Sequence, residues 1–188
     1  MKQKYDIIII GGGHAGIESA LIGSKLGCSV LIITQDLTAI GRMSCNPAIG
    51  GLAKGQIVRE IDALGGKMGV FTDTSGIQYK TLNKSKGRSV WSPRAQVDKR
   101  IYEKTAQKHI NREKKIQLHS NEVVSTKPLK NKTLLIKTRD GLEFIGKTTI
   151  ITCGTFLSGK IHIGGRKILA GRMGEERADG ITESLQNL

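Results

Sequence analysis

Two apolar periods alternate along the chain. Tyr5 to Ile10 reads YDIIII, a continuous β-branched run of the kind that forms a parallel strand buried on both faces. The glycines at 11–16 interrupt it, and the pattern predicts a helix from there to about Leu26, ended by Gly27. Ser29 to Thr34 is a second β-branched apolar run, so a β-α-β unit is expected between Tyr5 and Thr34.

Residues 41–55 carry four glycines, at 41, 50, 51 and 55, and read as an ordered loop. Ile57, Ile61 and Leu64 then recur at helical spacing, which predicts a helix from Gln56 to Leu64 stopped by Gly65-Gly66. Thr81 to Val90 is basic and without periodicity. Ser92-Pro93 is a helix-start signal, a capping hydroxyl followed by proline at the first helical position. From it Val97, Ile101, Thr105 and Ile110 are expected to face a core, with Lys99, Arg100, Lys104 and Lys108 in solvent. Further on, Ile116 to Val124 reads as a strand. Leu134–Ile136 and Leu142–Ile145 flank Asp140-Gly141 as a hairpin, and Thr149–Thr152 reads as a short strand ending at Cys153-Gly154. The sequence holds no internal repeat or disordered linker, and after Gly165 the pattern thins. The fold class expected is α/β, a Rossmann-like parallel sheet with a β-hairpin insertion, incomplete at its C-terminus.

Composition fits this picture. Only 4% of the 188 residues are aromatic, 38% are hydrophobic, and 24 are glycine, as in a protein rich in tight turns and close backbone approaches. Lys and Arg outnumber Asp and Glu by 30 to 16, for a net charge of +14. That balance suits an anionic partner, nucleic acid first and a membrane surface second; a solvated basic surface accounts for it equally well. The three cysteines, 28, 45 and 153, have no metal-ligand spacing and form no disulfide framework. A reducing cytoplasm is therefore expected. The run Ile7–Ile10 is too short for a signal peptide, and no segment approaches the ~20 apolar residues of a membrane span.

Gly11-Gly12-Gly13-His14-Ala15-Gly16 fits G-x-G-x-x-G and continues to Ala20 and Gly27. Alone such a match is weak. Between a predicted strand and a predicted helix it reads as a dinucleotide cradle, in which the first glycine permits the turn. The second admits the diphosphate, and the third lets helix and strand pack closely. His14 is expected to line the turn without doing chemistry. The acidic residue that meets a ribose in such folds should fall near position 34, which is Thr34; Asp36 stands two residues beyond.

Met43-Ser44-Cys45-Asn46-Pro47 is the least ordinary segment. If Asn46-Pro47 opens a helix, Cys45 lies at a positive dipole end, with Arg42 and Lys54 adding charge, and its thiol should ionise readily. A small buried hydrophobe is the competing reading, and Gly50-Gly51 speaks against an unbroken helix there. For Cys28 and Cys153, beside apolar strands, burial is the expected role.

GGGHAG, MSCNPAIGG, KGQIVREIDALGG, SGIQYKTLNKSKG, PRAQVDK and GTFLSGKIHIGG occur in this order. In these segments the chain resembles the MnmG (GidA) family of FAD-dependent tRNA uridine 5-carboxymethylaminomethyl modification enzymes. The resemblance spans nearly the whole chain and rests most on MSCNPAIGG. It implies FAD held at Gly11, Gly12, Gly13, His14, Ala15 and Gly16, with the Val123 backbone meeting the flavin nucleotide, and a functional thiol at Cys45. It implies tRNA as substrate, a GTPase partner (MnmE), NADH and methylene-tetrahydrofolate as co-substrates, no metal, and a homodimer in the full-length form. Family members are several times longer. By the resemblance, residues 1–188 form the N-terminal part of the FAD-binding domain, with 41–95 as a Gly-rich, basic active-site segment. The NADH-binding insertion, the helical C-terminal domain and a second functional cysteine lie outside. Ala178 stands where many members carry a flavin-contacting serine. A chain that binds FAD or RNA without turnover, or a general FAD-dependent oxidoreductase, are the alternatives.

Overall fold

The computed structural model describes residues 2–43 and 46–187. In chain order the elements begin with β1 (Gln3–Ile10), α1 (His14–Lys25), β2 (Val30–Thr34) and β3 (Ala48–Gly50). Next come α2 (Lys54–Ala63), α3 (Met68–Ser75), β4 (Gly76–Leu82), β5 (Ser92–Val97) and α4 (Lys99–Arg112). The remainder is β6 (Ile116–Ser120), β7 (Val123–Pro128), β8 (Leu134–Thr138), β9 (Glu143–Ile151), β10 (Ile161–Ile163), β11 (Arg166–Ile168) and α5 (Gly180–Gln186). They form two compact units, one of Met1–Ala39 with Lys114–Leu188, the other of Ile40–Glu113.

The first unit is built on a six-stranded sheet ordered β6-β2-β1-β9-β8-β7. β6, β2, β1 and β9 run parallel, and β8 and β7 add an antiparallel meander at one side. This is the Rossmann-like sheet with hairpin insertion expected from the apolar pattern. β1 and β2 are apolar throughout because both faces are covered: Ile8, Ile9, Val30 and Ile32 are fully buried. α1 lays Ile17, Ala20 and Gly23 inward. On the meander, α5 is fastened by Ser184, whose hydroxyl donates to the Thr126 carbonyl and accepts from the Thr126 amide.

The expected strand 116–124 is two strands. β6 ends at Ser120, and Asn121-Glu122 turn the chain into β7, so Val123 begins a strand where the pattern places it near the end of one. The Asp140-Gly141 hairpin forms as expected, with Gly141 at φ +85°. The two apolar runs beyond it, 142–145 and 149–152, fall on the single long strand β9, except for Leu142 and Thr152, which lie just outside its ends.

In the second unit the order β3-β5-β4 makes a small antiparallel sheet. Here the Ser92-Pro93 signal fails. Those residues open the strand β5, and the Ser92 hydroxyl, fully buried, donates to the Gly51 carbonyl across the sheet. Pro93 stands before the β3 pairing begins at Arg94, where a ladder N–H is not required. The cap that starts α4 is Asp98, whose carboxylate accepts from the amides of Arg100 and Ile101 at 2.8 and 2.9 Å. With the start shifted, the buried face becomes Tyr102, Ala106 and Ile110, and Ile101 is exposed. α2 forms where expected, yet Ile57 and Leu64 are exposed, at 52% and 77%. Among the described residues no helix is long and apolar enough to cross a membrane, and no His, Cys, Asp and Glu cluster could hold a metal.

Asp6, within β1, ties β9 and the start of β2 together in the first unit. Its carboxylate accepts from the Lys147 ammonium at 2.7 Å and from the amide and hydroxyl of Ser29 at 2.8 Å each. The lysine's hydrogen bond first, then those of Ser29, hold its pKa far below the carboxylate range. A pKa lowered by folding gives stability that is present above the unfolded value and lost as pH falls through the folded one. Asp6→Asn should therefore be less stable than the parent at neutral pH and approach it below about pH 4, as measured by urea unfolding across pH.

Candidate functional site

The carboxyl ends of β1, β2, β6 and β9 form one edge of the parallel sheet, with loops 11–13, 35–36, 121–122 and 152–154 above it. Connections leave β1 toward β2 on one side, while β9 pairs on the other. Ligands in open α/β sheets bind in the crevice at such a switch.

The glycine turn sits there. The Gly11 amide donates to the Ile33 carbonyl at 2.8 Å, and Gly11 has φ +111°. A Cβ at Gly11 would lie 2.7 Å from the Thr152 carbonyl oxygen. A Cβ at Gly16 would lie 2.1 Å from the Gly11 oxygen, so no side chain fits between turn and helix. Gly13 differs: a Cβ built there meets no described atom within 4 Å, and the residue is exposed. Gly12 is buried between them, and His14 and Ala15 open α1. Gly13 is the N-cap of that helix, extended at φ −74°, with no side-chain cap among the described residues and no acidic residue in the first turn. The helix end thus presents amides and a positive dipole to the space beside Gly13. Exposed amides at a helix N-terminus are the kind of group that an anion such as a phosphate can meet.

Sequence reasoning misses what holds the turn in place. The Thr152 hydroxyl lies 2.9 Å from the Gly11 oxygen and 3.1 Å from that of Ile10, and the Thr152 amide donates to the Ile10 carbonyl at 2.8 Å. Thr152→Val deletes the hydroxyl donor while keeping the shape. It should cost about 1–2 kcal/mol in chemical unfolding, with Thr152→Ser restoring most of it.

A second missed element is Glu122, buried at the β6–β7 switch. It pairs with Arg139 through Oε2, and its Oε1 accepts from the Asp179 amide at 3.0 Å. This carboxylate fixes the chain just before Val123, which is buried in one cluster with Ile10 and Ile33. No spacing rule would find it, because its partners lie 17 and 57 residues away.

Thr34 and Asp36, the residues considered for a ribose contact, are engaged locally. Thr34 ends β2, its carbonyl accepting from the Asn121 amide at 2.9 Å. Asp36 accepts from the amide and hydroxyl of Thr38 at 2.7 and 2.6 Å, so it caps a short turn. Ala178 is buried and bonded through its backbone to Phe156 and Ser158.

Cys45 lies outside the described residues. Asn46-Pro47 leads into the strand β3, so no helix start follows it. Arg42 pairs with Glu103 at 3.2 Å, and burial pushes the Lys54 ammonium's pKa down. Cys153 is half-buried against the Ile10 carbonyl, and burial pushes its thiol up to about 11, which keeps it protonated at neutral pH.

The family description "Glucose inhibited division protein A" matches residues 6–188. The chain belongs to this family. Among its relatives, the tRNA uridine 5-carboxymethylaminomethyl modification enzyme MnmG of Porphyromonas gingivalis is 46% identical over 188 residues, covering 100% of the chain and 30% of the relative. That of Flavobacterium psychrophilum is 48% identical, covering 97% and 29%. The solved structure of Aquifex aeolicus GidA superposes at a TM-score of 0.92 with 44% identity, over 98% of this chain and 31% of that one. The GidA-related protein from Thermus thermophilus, at 20% identity, shares the fold with a TM-score of 0.67 over 97% of this chain and 68% of its own. The chain thus spans about a third of the length of the GidA relatives it matches.

Proposed function

We propose that this chain is the N-terminal part of an FAD-binding domain and contributes to modification of the wobble uridine of tRNA at uracil C5. One observation carries the reading: in a GidA-family chain, Gly13 leaves an opening in front of an uncapped helix end, between two glycines that admit no side chain. Gly11 and Gly16 shape the turn, Gly12 and Gly13 bring backbone to the diphosphate, and His14 and Ala15 supply the first amides of α1. The Val123 backbone meets the nucleotide from the β6–β7 switch. When bound, FAD supplies hydride chemistry.

Residues 41–95 form the active-site segment in this reading, and Cys45 is its nucleophile. Uracil C5 is a weak nucleophile until a group adds at C6; a thiolate adding there leaves an enolate whose C5 can attack a one-carbon unit. The one-carbon donor is methylene-tetrahydrofolate, the reductant NADH, and the partner a GTPase of the MnmE kind. The full-length form is a homodimer working in the cytoplasm.

The test is a chimera in which residues 1–188 replace the matching third of a relative, expressed in cells lacking that relative. Mass spectrometry of tRNA should show the modified wobble uridine restored, and Cys45→Ser should abolish it. Modification at the parental rate by the Cys45→Ser chimera would remove the thiol from the mechanism.

A further inference from the structure

The residues 74–97 contain five cations, Lys80, Lys84, Lys86, Arg88 and Arg94, and not one Asp or Glu. The fold concentrates them on the β4–β5 hairpin and its connection. Lys80 and Arg94 are direct cross-strand partners, which places both side chains on one face of the ribbon. Like charges so placed are destabilising unless an anion lies between them. Among the described residues none of the five has a carboxylate within ion-pair distance.

The connection between the strands is ordered by its own bonds. Asn83 takes a left-handed conformation at φ +60°, its amide side chain donating to the Val90 carbonyl at 3.3 Å. Lys84, Lys86 and Arg88 lie in two successive short turns, all exposed. Trp91, also exposed, donates its indole N–H to the Lys84 carbonyl at 3.2 Å, and the Arg88 guanidinium lies 5.8 Å from its ring centroid. An exposed aromatic ring rimmed by cations without carboxylate partners, on a loop tied by its own hydrogen bonds, suits single-stranded nucleic acid. The ring stacks a base while the cations follow the phosphates.

We infer that the β4–β5 hairpin and its 83–91 connection form a binding surface for single-stranded RNA, with Trp91 stacking a base and Lys84, Lys86 and Arg88 on adjacent phosphates. Lys80 and Arg94 together take a further phosphate. The inference rests on the reading of RNA as substrate and deepens it by assigning the segment that grips the unpaired strand. An acidic protein surface would satisfy the charges but leave the indole without a stacking partner.

Trp91 is the only tryptophan in the chain, so its emission reports this surface alone. The experiment titrates the full chain, without flavin, with oligouridine, with duplex RNA and with polyglutamate. Oligouridine should quench Trp91, with affinity falling steeply as salt rises. Duplex RNA and polyglutamate should leave the emission nearly unchanged. In Lys84→Gln/Lys86→Gln/Arg88→Gln, whose free emission checks that the loop is intact, the slope of log affinity against log salt should shrink by about 0.7 for each phosphate no longer neutralised. Trp91→Ala, followed by anisotropy of labelled oligouridine, should bind about 5- to 100-fold more weakly.

Oligouridine binding with unchanged Trp91 emission, an unaltered salt slope in the triple variant, or equal quenching by polyglutamate would each overturn the assignment. A flavin titration of the same preparation keeps the two readings apart: FAD binding without a Trp91 response fails only this inference. A Trp91 response without FAD binding fails only the flavin reading.

Discussion

Gly16→Ala should destabilise the first unit substantially. In an ordinary helix this change gains up to about 1 kcal/mol, because alanine is the better helix former. Here the added methyl would lie 2.1 Å from the Gly11 carbonyl oxygen and 2.9 Å from the Thr152 hydroxyl. Neither neighbour can withdraw easily. The Gly11 amide donates to the Ile33 carbonyl, and the Thr152 amide and hydroxyl donate to that of Ile10. α1 would have to move off β1, opening the packing around Ile17 and Ala20, which are buried. Overpacking of this kind outweighs the propensity gain, for a net loss of roughly 3 kcal/mol. Thermal unfolding followed by circular dichroism should show the midpoint lowered by roughly 10 °C. A midpoint equal to the parent's would mean that helix and turn are not closely packed.

Gly13→Ala should do the opposite, sparing the fold and removing the ligand. Gly13 already has a backbone conformation open to any L-residue, and its new methyl meets no described atom within 4 Å. Alanine is a poorer N-cap than glycine, so the expected loss of stability is at most about 1 kcal/mol. In the proposed reading the methyl stands where the backbone approaches a diphosphate. FAD affinity should drop at least about 100-fold, equivalent to ~2.7 kcal/mol, read by the change in flavin absorbance on titration. The pair of variants separates two roles, the packing that Gly16 serves and the ligand contact proposed for Gly13. Full FAD affinity in Gly13→Ala would place the nucleotide elsewhere.

The parts of the structure that are legible in the sequence are those set by local chemistry. A β-branched run, a glycine turn and a helix spaced at 3.6 announce β1, α1 and β2, because a strand buried on both faces leaves no room for polar residues. The hairpin at Asp140-Gly141 is equally plain. The glycine fingerprint lies in the crevice that this topology predicts.

The features that local pattern misplaces depend on partners distant in sequence. Ser92-Pro93 carries the local chemistry of a helix start, but Ser92 is claimed by the Gly51 carbonyl, 41 residues away, and the segment becomes a strand. The true cap, Asp98, is itself a helix-start signal, overshadowed by the stronger dipeptide before it. Asn46-Pro47 carries the same helix-start chemistry and leads into β3, which exists only because β5 pairs with it. Thr152 and Glu122 are invisible for a related reason: each acts on a neighbour that only the sheet brings close. Ile57 and Leu64 show the converse case, in which helical spacing holds and burial does not.

If the backbone beside Gly13 recognises a diphosphate, as proposed, the chain should discriminate flavin ligands by their phosphates. The full chain is titrated with FAD, then with riboflavin, which has the ring system and no phosphate, and bound FAD is challenged with ADP. FAD should bind with a shift in its absorbance, ADP should displace it, and riboflavin should bind far more weakly. Riboflavin binding as tightly as FAD, with ADP unable to compete, would contradict diphosphate recognition beside Gly13.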